Sequence, residues 1–300
     1  MVTKQASAPT TAKLHVRSVA TLANGVSRTV AVRTGQRLII LGGLASGDVT
    51  TSRVVSIDPT SGRSHVLGAL GEAVHDAAGA LVNGAPVVFG GGASTEVADV
   101  QEWQGGHSQV IGHLPVGRSD SAAAVVGGTA FVVGGFDGSR LVRAIEATTD
   151  GHHFSVAGQL RVGVRYPAVV AYRGAVWVLG GELATTDGTN GGPETSAIQR
   201  FDPATGRTTI VGHLPKQMGH AMAFAVGGSL YVAGGRSAGT ARDQILRIDP
   251  ATGHSIRVGR LPYAESDAGV VEGPSTVWLI GGETAGPLEP QRKVFAISLS

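Results

Sequence analysis

Short apolar runs recur along the chain, and six of them end on a pair of glycines: Gly42-Gly43, Gly90-Gly91, Gly134-Gly135, Gly180-Gly181, Gly234-Gly235 and Gly281-Gly282. The pairs lie 44 to 54 residues apart, a period that marks repetition of one supersecondary unit. The repeat holds register at single residues. Twenty positions before the first glycine of each pair stands a leucine in every unit: Leu22, Leu70, Leu114, Leu160, Leu214 and Leu261. Three positions before it stand Ile39, Val87, Phe131, Trp177, Tyr231 and Trp278, bulky throughout and aromatic in four.

Runs this short, bounded by tight glycine turns, read as strands. Small apolar residues such as Ser121 to Val126 form an inner strand A, Gly127-Gly128 reverses the chain, and Thr129 to Val133 form strand B. A second hairpin, strands C and D, turns on Asp-Pro-x-Ser/Thr-Gly at Asp58 to Gly62, Asp202 to Gly206 and Asp249 to Gly253. The sum is an all-β, six-bladed β-propeller with four antiparallel strands per blade. The last unit stops at its strand C, Arg292 to Ser300, while the chain opens with Lys13 to Ala20 and Leu22, a strand D without a blade. Pairing residues 13–20 with 292–298 completes blade six and removes an exposed sheet edge. Residues 13–300 are therefore expected to be a single monomeric propeller, and residues 1–12, small and polar, a flexible linker.

Composition narrows the function classes. Of 300 residues 46 are glycine, 15% are charged and 42% hydrophobic, too apolar for a disordered chain. The net charge of +2 comes from 24 basic and 22 acidic residues with no run of one sign, so nucleic acid is not an expected partner. No cysteine is present, which removes disulfides, thiolate nucleophiles and iron–sulfur clusters. No apolar stretch approaches the roughly eighteen residues a membrane helix needs. The opening segment lacks the apolar core of a signal peptide. It suits a linker left behind a removed secretion signal or anchor, with Met1 as an added start, and the expected location is extracytoplasmic, secreted or surface-anchored.

Three segments together resemble the kelch repeat: Tyr231-Val232-Ala233-Gly234-Gly235, then Ile248-Asp249-Pro250-x-Thr252-Gly253, then Arg260-Leu261-Pro262. The resemblance extends over residues 13–300. It departs where kelch repeats usually place a tryptophan six residues after the aspartate, for Ser64, Thr208 and Ser255 stand there. The kelch family includes peptide-capturing adaptors, actin binders, galactose oxidase and sialic-acid mutarotases, so the resemblance implies a scaffold and not an activity.

Strand A starts on the face where strand B ends, so the D–A and B–C connections share one end of the ring. Fourteen positions before each glycine pair stand Arg28, Asp76, Asp120, Tyr166, His220 and Asp267. Two positions after its first glycine stand Leu44, Gly92, Phe136, Glu182, Arg236 and Glu283. In kelch adaptors these two columns resemble the ones that contact ligands. The candidate ligand-binding residues are Arg28, Asp76, Arg118, Asp120, Arg165, Tyr166, Glu182, His220, Arg236, Asp267 and Glu283, densest in blades four to six beside the long loop Leu183 to Ser196. Two guanidinium forks, Arg165 and Arg236, next to an aromatic ring suit carboxylates, sugars or acidic peptides.

Catalysis has less support in the letters. A galactose oxidase radical needs a cysteine crosslink. Ten scattered histidines form no His-x₃-His pair, and Asp76, Asp120 and Asp267 alone fall short of the oxygens a hard cation takes. The glycine tract Gly188 to Gly192 lacks the Lys-Ser/Thr of a phosphate loop, and His152-His153 read as exposed decoration. The expected function is a non-catalytic recognition module for a protein segment or glycan, with no metal and no cofactor. The alternative is a carbohydrate-active enzyme, of the mutarotase, isomerase or lyase kind, using Glu182, Glu283, His220 or Arg236 as acid–base groups.

Overall fold

The computed structural model describes residues 13–185, 191–284 and 289–300. Among them there is no helix; the chain forms six four-stranded antiparallel blades, and the strand A of each blade packs beside the strands A of both neighbours to close a ring. Blade three, with strands Ala122–Val126, Thr129–Val133, Ala144–Thr148 and Ser155–Gln159, is representative. Blade five extends its strand B, Ser229–Ser237, so that Thr240–Ala241 pairs back on it.

Blade six closes as the sequence predicts. Leu14–Thr21 pairs antiparallel with Lys293–Leu299, in the register Leu14 to Leu299 and Thr21 to Lys293. Leu22 continues that strand into the seam with blade one, where it is buried.

The leucine and glycine columns of the repeat each correspond to a recurring bond. The six leucines are all buried, and each donates its N–H to a carbonyl at the start of strand C, at 2.7–2.8 Å. The glycine pairs join the blades. The second glycine of each pair donates to the carbonyl of the residue that precedes strand A in the next blade: Val74, Arg118, Val164, Met218, Glu265 and, across the closure, Val26, all at 2.8–2.9 Å. The first glycine makes that approach feasible. At Gly281, φ is +66° and a Cβ would lie 1.9 Å from the Val26 carbonyl oxygen, so neither conformation nor space admits another residue. The Asp-Pro turns are Asx turns, in which Asp58 Oδ1 accepts the Thr60 N–H at 2.9 Å and Asp249 Oδ1 the Ala251 N–H at 2.9 Å.

The buried apolar side chains fall into six clusters, one at each seam between neighbouring blades. Strand A contributes small residues such as Ala78, Ala80, Ala124 and Ala168, because the innermost strands converge on the axis. The narrow side chains leave an axial channel open, a cavity of about 640 Å³.

Candidate functional site

The charged mouth of the channel is built by backbone geometry first. All six residues of the column that starts strand A adopt positive φ: Arg28 at 52°, Asp76 at 51°, Asp120 at 57°, Tyr166 at 49°, His220 at 56° and Asp267 at 57°. This left-handed turn points the N–H of five of the six at the carbonyl of the ring residue in the blade before it. Arg28 donates to Asp267, Asp76 to Arg28, Tyr166 to Asp120, His220 to Tyr166 and Asp267 to His220, at 2.8–3.1 Å, so hydrogen bonds run round the axis. Asp and His enter that region more readily than most residues. Arg28 and Tyr166 do not, and side-chain interactions hold them there.

Just outside this ring the chain pairs once more. Ser27 bridges Leu44, His75 bridges Gly92, Ser119 bridges Phe136, Arg165 bridges Glu182, Gly219 pairs Arg236, and Ser266 bridges Glu283. The two predicted columns are thereby brought together on one face.

Their side chains form a continuous network. His220 lies between two carboxylates, its Nδ1 2.6 Å from Asp267 Oδ1 and its Nε2 2.9 Å from Glu182 Oε1, with its ring stacked on Tyr166 at a centroid distance of 3.9 Å. Glu182 also takes Arg165, whose Nε and Nη2 both lie 3.1 Å from Oε2. On the other side Glu283, fully buried, bridges two guanidiniums: Arg28 Nε reaches Oε1 at 2.8 Å and Arg236 Nη2 reaches Oε2 at 2.6 Å. Arg28 Nη1 bonds Asp76 Oδ2 and the Tyr166 hydroxyl, both at 3.2 Å, and Arg236 Nε bonds Ser266 Oγ at 3.0 Å. The remaining terminal nitrogens, Arg28 Nη2 and Arg236 Nη1, have no hydrogen-bond partner among the described residues.

Electrostatics follow from these contacts. Burial alone would lower the His220 pKa, but the Asp267 carboxylate and then Glu182 outweigh it and raise it to about 10; the ring is an imidazolium at neutral pH. Burial would raise Asp267, yet the His220 charge and hydrogen bond, with Arg28, bring it to about 2. Glu182 is likewise held low, its burial overridden by His220 and Arg165. Asp76 and Asp120 go the other way. Burial pushes Asp76 well above the usual carboxylate range and raises Asp120, in spite of Arg28 beside the first and Arg165 beside the second.

Ten of the eleven candidate residues meet at this mouth, and two expectations change. Arg118 does not reach it. It lies buried inside blade three, its Nη2 2.5 Å from Glu146 Oε1, at the position where three other blades carry valine. Its guanidinium turns into its own blade, where Nη1 reaches the Gly134 and Ala144 carbonyls at 3.4 Å. Arg165 is only 5% exposed and engaged with Glu182, and the guanidinium that shares a carboxylate with Arg236 is that of Arg28. Ser27 and Ser266, absent from the sequence-based set, belong to the network; their signal is the column directly before the ring. Residues 186–190 of the long loop, with most of its glycine tract, lie outside the described residues, as do residues 1–12, for which a linker was expected. His152 and His153 are exposed, as expected.

No protein-family model matches the chain. No curated protein matches it either. Among solved structures it is similar to that of YjhT, with a TM-score of 0.78 at 17% identity, over 94% of this chain and 100% of that one. At that identity the likeness shows the fold, a six-bladed β-propeller, and nothing finer.

Proposed function

We propose that the protein is a recognition module that binds a glycan or protein segment at the channel mouth, through a carboxylate or comparable polar group of the ligand. The observation that carries this reading is the Arg28–Glu283–Arg236 bridge. One buried carboxylate holds two guanidiniums side by side, and each keeps a terminal N–H pair for an acceptor from outside. Donors fixed in advance cost little ordering on binding. The groups that acid–base catalysis would call on are tied up: His220 is held as a cation with both nitrogens engaged, while Glu182 and Asp267 are held as anions. A general acid or base works best with a pKa near the operating pH.

A screen of glycans and secreted proteins identifies the ligand. Arg236→Lys, which keeps the charge beside Glu283 and removes the fork, should then weaken binding by about 2 kcal/mol, some thirtyfold, with the melting temperature nearly unchanged. Undiminished binding by that variant would overturn the site assignment. The second reading, a sugar-isomerising enzyme, is favoured by Asp76 and Asp120, two carboxyls raised by burial beside the cavity. Turnover of a sugar that disappears in Asp76→Asn with the fold intact would establish it instead.

A further inference from the structure

Glu265 is the residue preceding strand A of blade six by the same count at which the other blades carry Val26, Val74, Arg118, Val164 and Met218. It is fully buried, and neither carboxyl oxygen has a hydrogen-bond partner. Arg118, the other charged residue of this column, is matched by Glu146; Glu265 is matched by nothing. Its backbone is nonetheless central to the mouth. Its N–H donates to the Arg242 carbonyl at 2.9 Å and its carbonyl accepts Gly235 N–H at 2.8 Å, which locks blade five to blade six.

The side chain packs over Gly282, where a Cβ would stand 3.0 Å from its Cγ and Oε1. Each neighbour along the chain is a site residue. Ser266 follows directly, bonds Asp267 Oδ2 at 2.7 Å and receives Arg236. Glu283 follows Gly282 and exchanges two backbone bonds with Ser266, at 2.8 and 2.9 Å. The charged and titratable groups around Glu265 are Tyr263 and Asp267 on its own connection, Arg242 and Arg236 on blade five, and Glu283 on blade six. Among the described residues none forms an ion pair or hydrogen bond with its carboxyl.

We propose that Glu265 is a positioning residue for the mouth, holding Ser266, Asp267 and Glu283 in place only while its carboxyl is uncharged. A neutral carboxyl fits an apolar seam at modest cost, whereas an ionised one without a counter-charge must move toward water. Moving it pulls on the backbone that carries Ser266 and on Gly282 beneath Glu283. Burial raises the pKa to about 8, which places the transition just above neutral pH and below the range where His220 gives up its proton. The blade-six half of the mouth thus loosens under mildly alkaline conditions while the rest of the ring keeps its order.

The test needs no ligand. Glutamate carboxyl carbons are followed by NMR through a pH titration, with Glu265→Gln assigning the resonance, and amide exchange is measured from pH 6 to 9 after correction for intrinsic rates. Glu265 should titrate near 8. Protection at Gly235, Ser266 and Glu283 should fall about tenfold over that range, while Gly43 and Gly91, bonded to Val74 and Arg118, hold steady. Glu265→Met, which places here the side chain of position 218, and Glu265→Gln should both abolish the pH-dependent loss. Titration below pH 6, a loss spread evenly round the ring, or a loss that persists in either variant would overturn the proposal.

Discussion

His220 carries charge-dependent stability at the mouth, and replacing it with glutamine isolates that contribution. Glutamine keeps a donor and an acceptor but cannot hold a proton between Asp267 and Glu182. In the folded protein the imidazole pKa stands at about 10, against 6.5 for the unfolded chain. At about 1.36 kcal/mol per pH unit, carrying a pKa over that interval amounts to roughly 5 kcal/mol. The sign follows from proton counting. Below pH 6.5 both states bind the proton and the stabilisation is fully present. Between 6.5 and about 10 the folded state alone retains it, so stability falls as pH rises, and above 10 the contribution is gone. Asp267, held at about 2, adds stability that is lost only as pH falls from 3.8 through 2, so the contribution of the His220–Asp267 pair is flat from about pH 4 to 6.5.

The measurement is urea denaturation of the parent and His220→Gln at several pH values, read by tryptophan fluorescence. The difference between the two proteins should be several kcal/mol at pH 6 and shrink steadily toward pH 10. Glu265 is present in both and cancels. A direct ¹⁵N titration of the imidazole supplies the pKa independently. A difference equal at pH 6 and 9.5, or an imidazole that titrates between 6 and 7, would refute the reasoning and show that the two carboxylates do not hold the ring charged.

Two further predictions concern the scaffold. Deleting residues 1–22 exposes the edge of Lys293–Leu299 and empties the Leu22 site; the melting temperature should drop sharply, and Leu22→Ala alone should cost about 2–5 kcal/mol, whereas a truncated protein melting with the parent would disprove closure. Arg118→Ala leaves Glu146 buried and alone and should cost about 3–5 kcal/mol in denaturant titrations, while Arg118→Val with Glu146→Leu should recover most of it. A stable Arg118→Ala protein that had lost its ligand would instead return Arg118 to the site.

The fold was legible because the leucine and glycine columns of the repeat each stand for one bond. A leucine at the same distance in six units reports the N–H that closes strand D onto strand C, and a glycine pair reports a carbonyl of the next blade approaching too closely for a side chain. Such contacts recur because the blades are equivalent, and recurrence is what a single sequence can display. The two-residue ribbon Leu44–Ala45 with Val49–Thr50 and the extra pairing at Thr240–Ala241 occur once each. Both are too short to impose a periodicity, and so they left no trace in the letters.

The charged mouth was legible as positions and not as pairings. That His220 and Glu283 face one end of the ring follows from their columns. That Glu283 holds Arg28 depends on bringing together residues 255 apart along the chain, across the closure, and no spacing encodes it. Arg165 shows the consequence: its position places it at the mouth, and no spacing foretells that its guanidinium pairs with Glu182 one bridge away. The repeat nevertheless supplies a control that an ordinary fold lacks. Where three blades carry valine before strand A and one carries methionine, the scaffold demonstrably needs no charge, so Arg118 and Glu265 are not demanded by propeller geometry. Arg118 brings its own counter-charge and disturbs nothing at the mouth. Glu265 brings none, lies directly before Ser266 and Asp267, and keeps a cost that a methyl-bearing side chain would remove. A buried group that the fold tolerates but does not require, retained beside the most highly charged part of the ring, is where stability has been given up for something else.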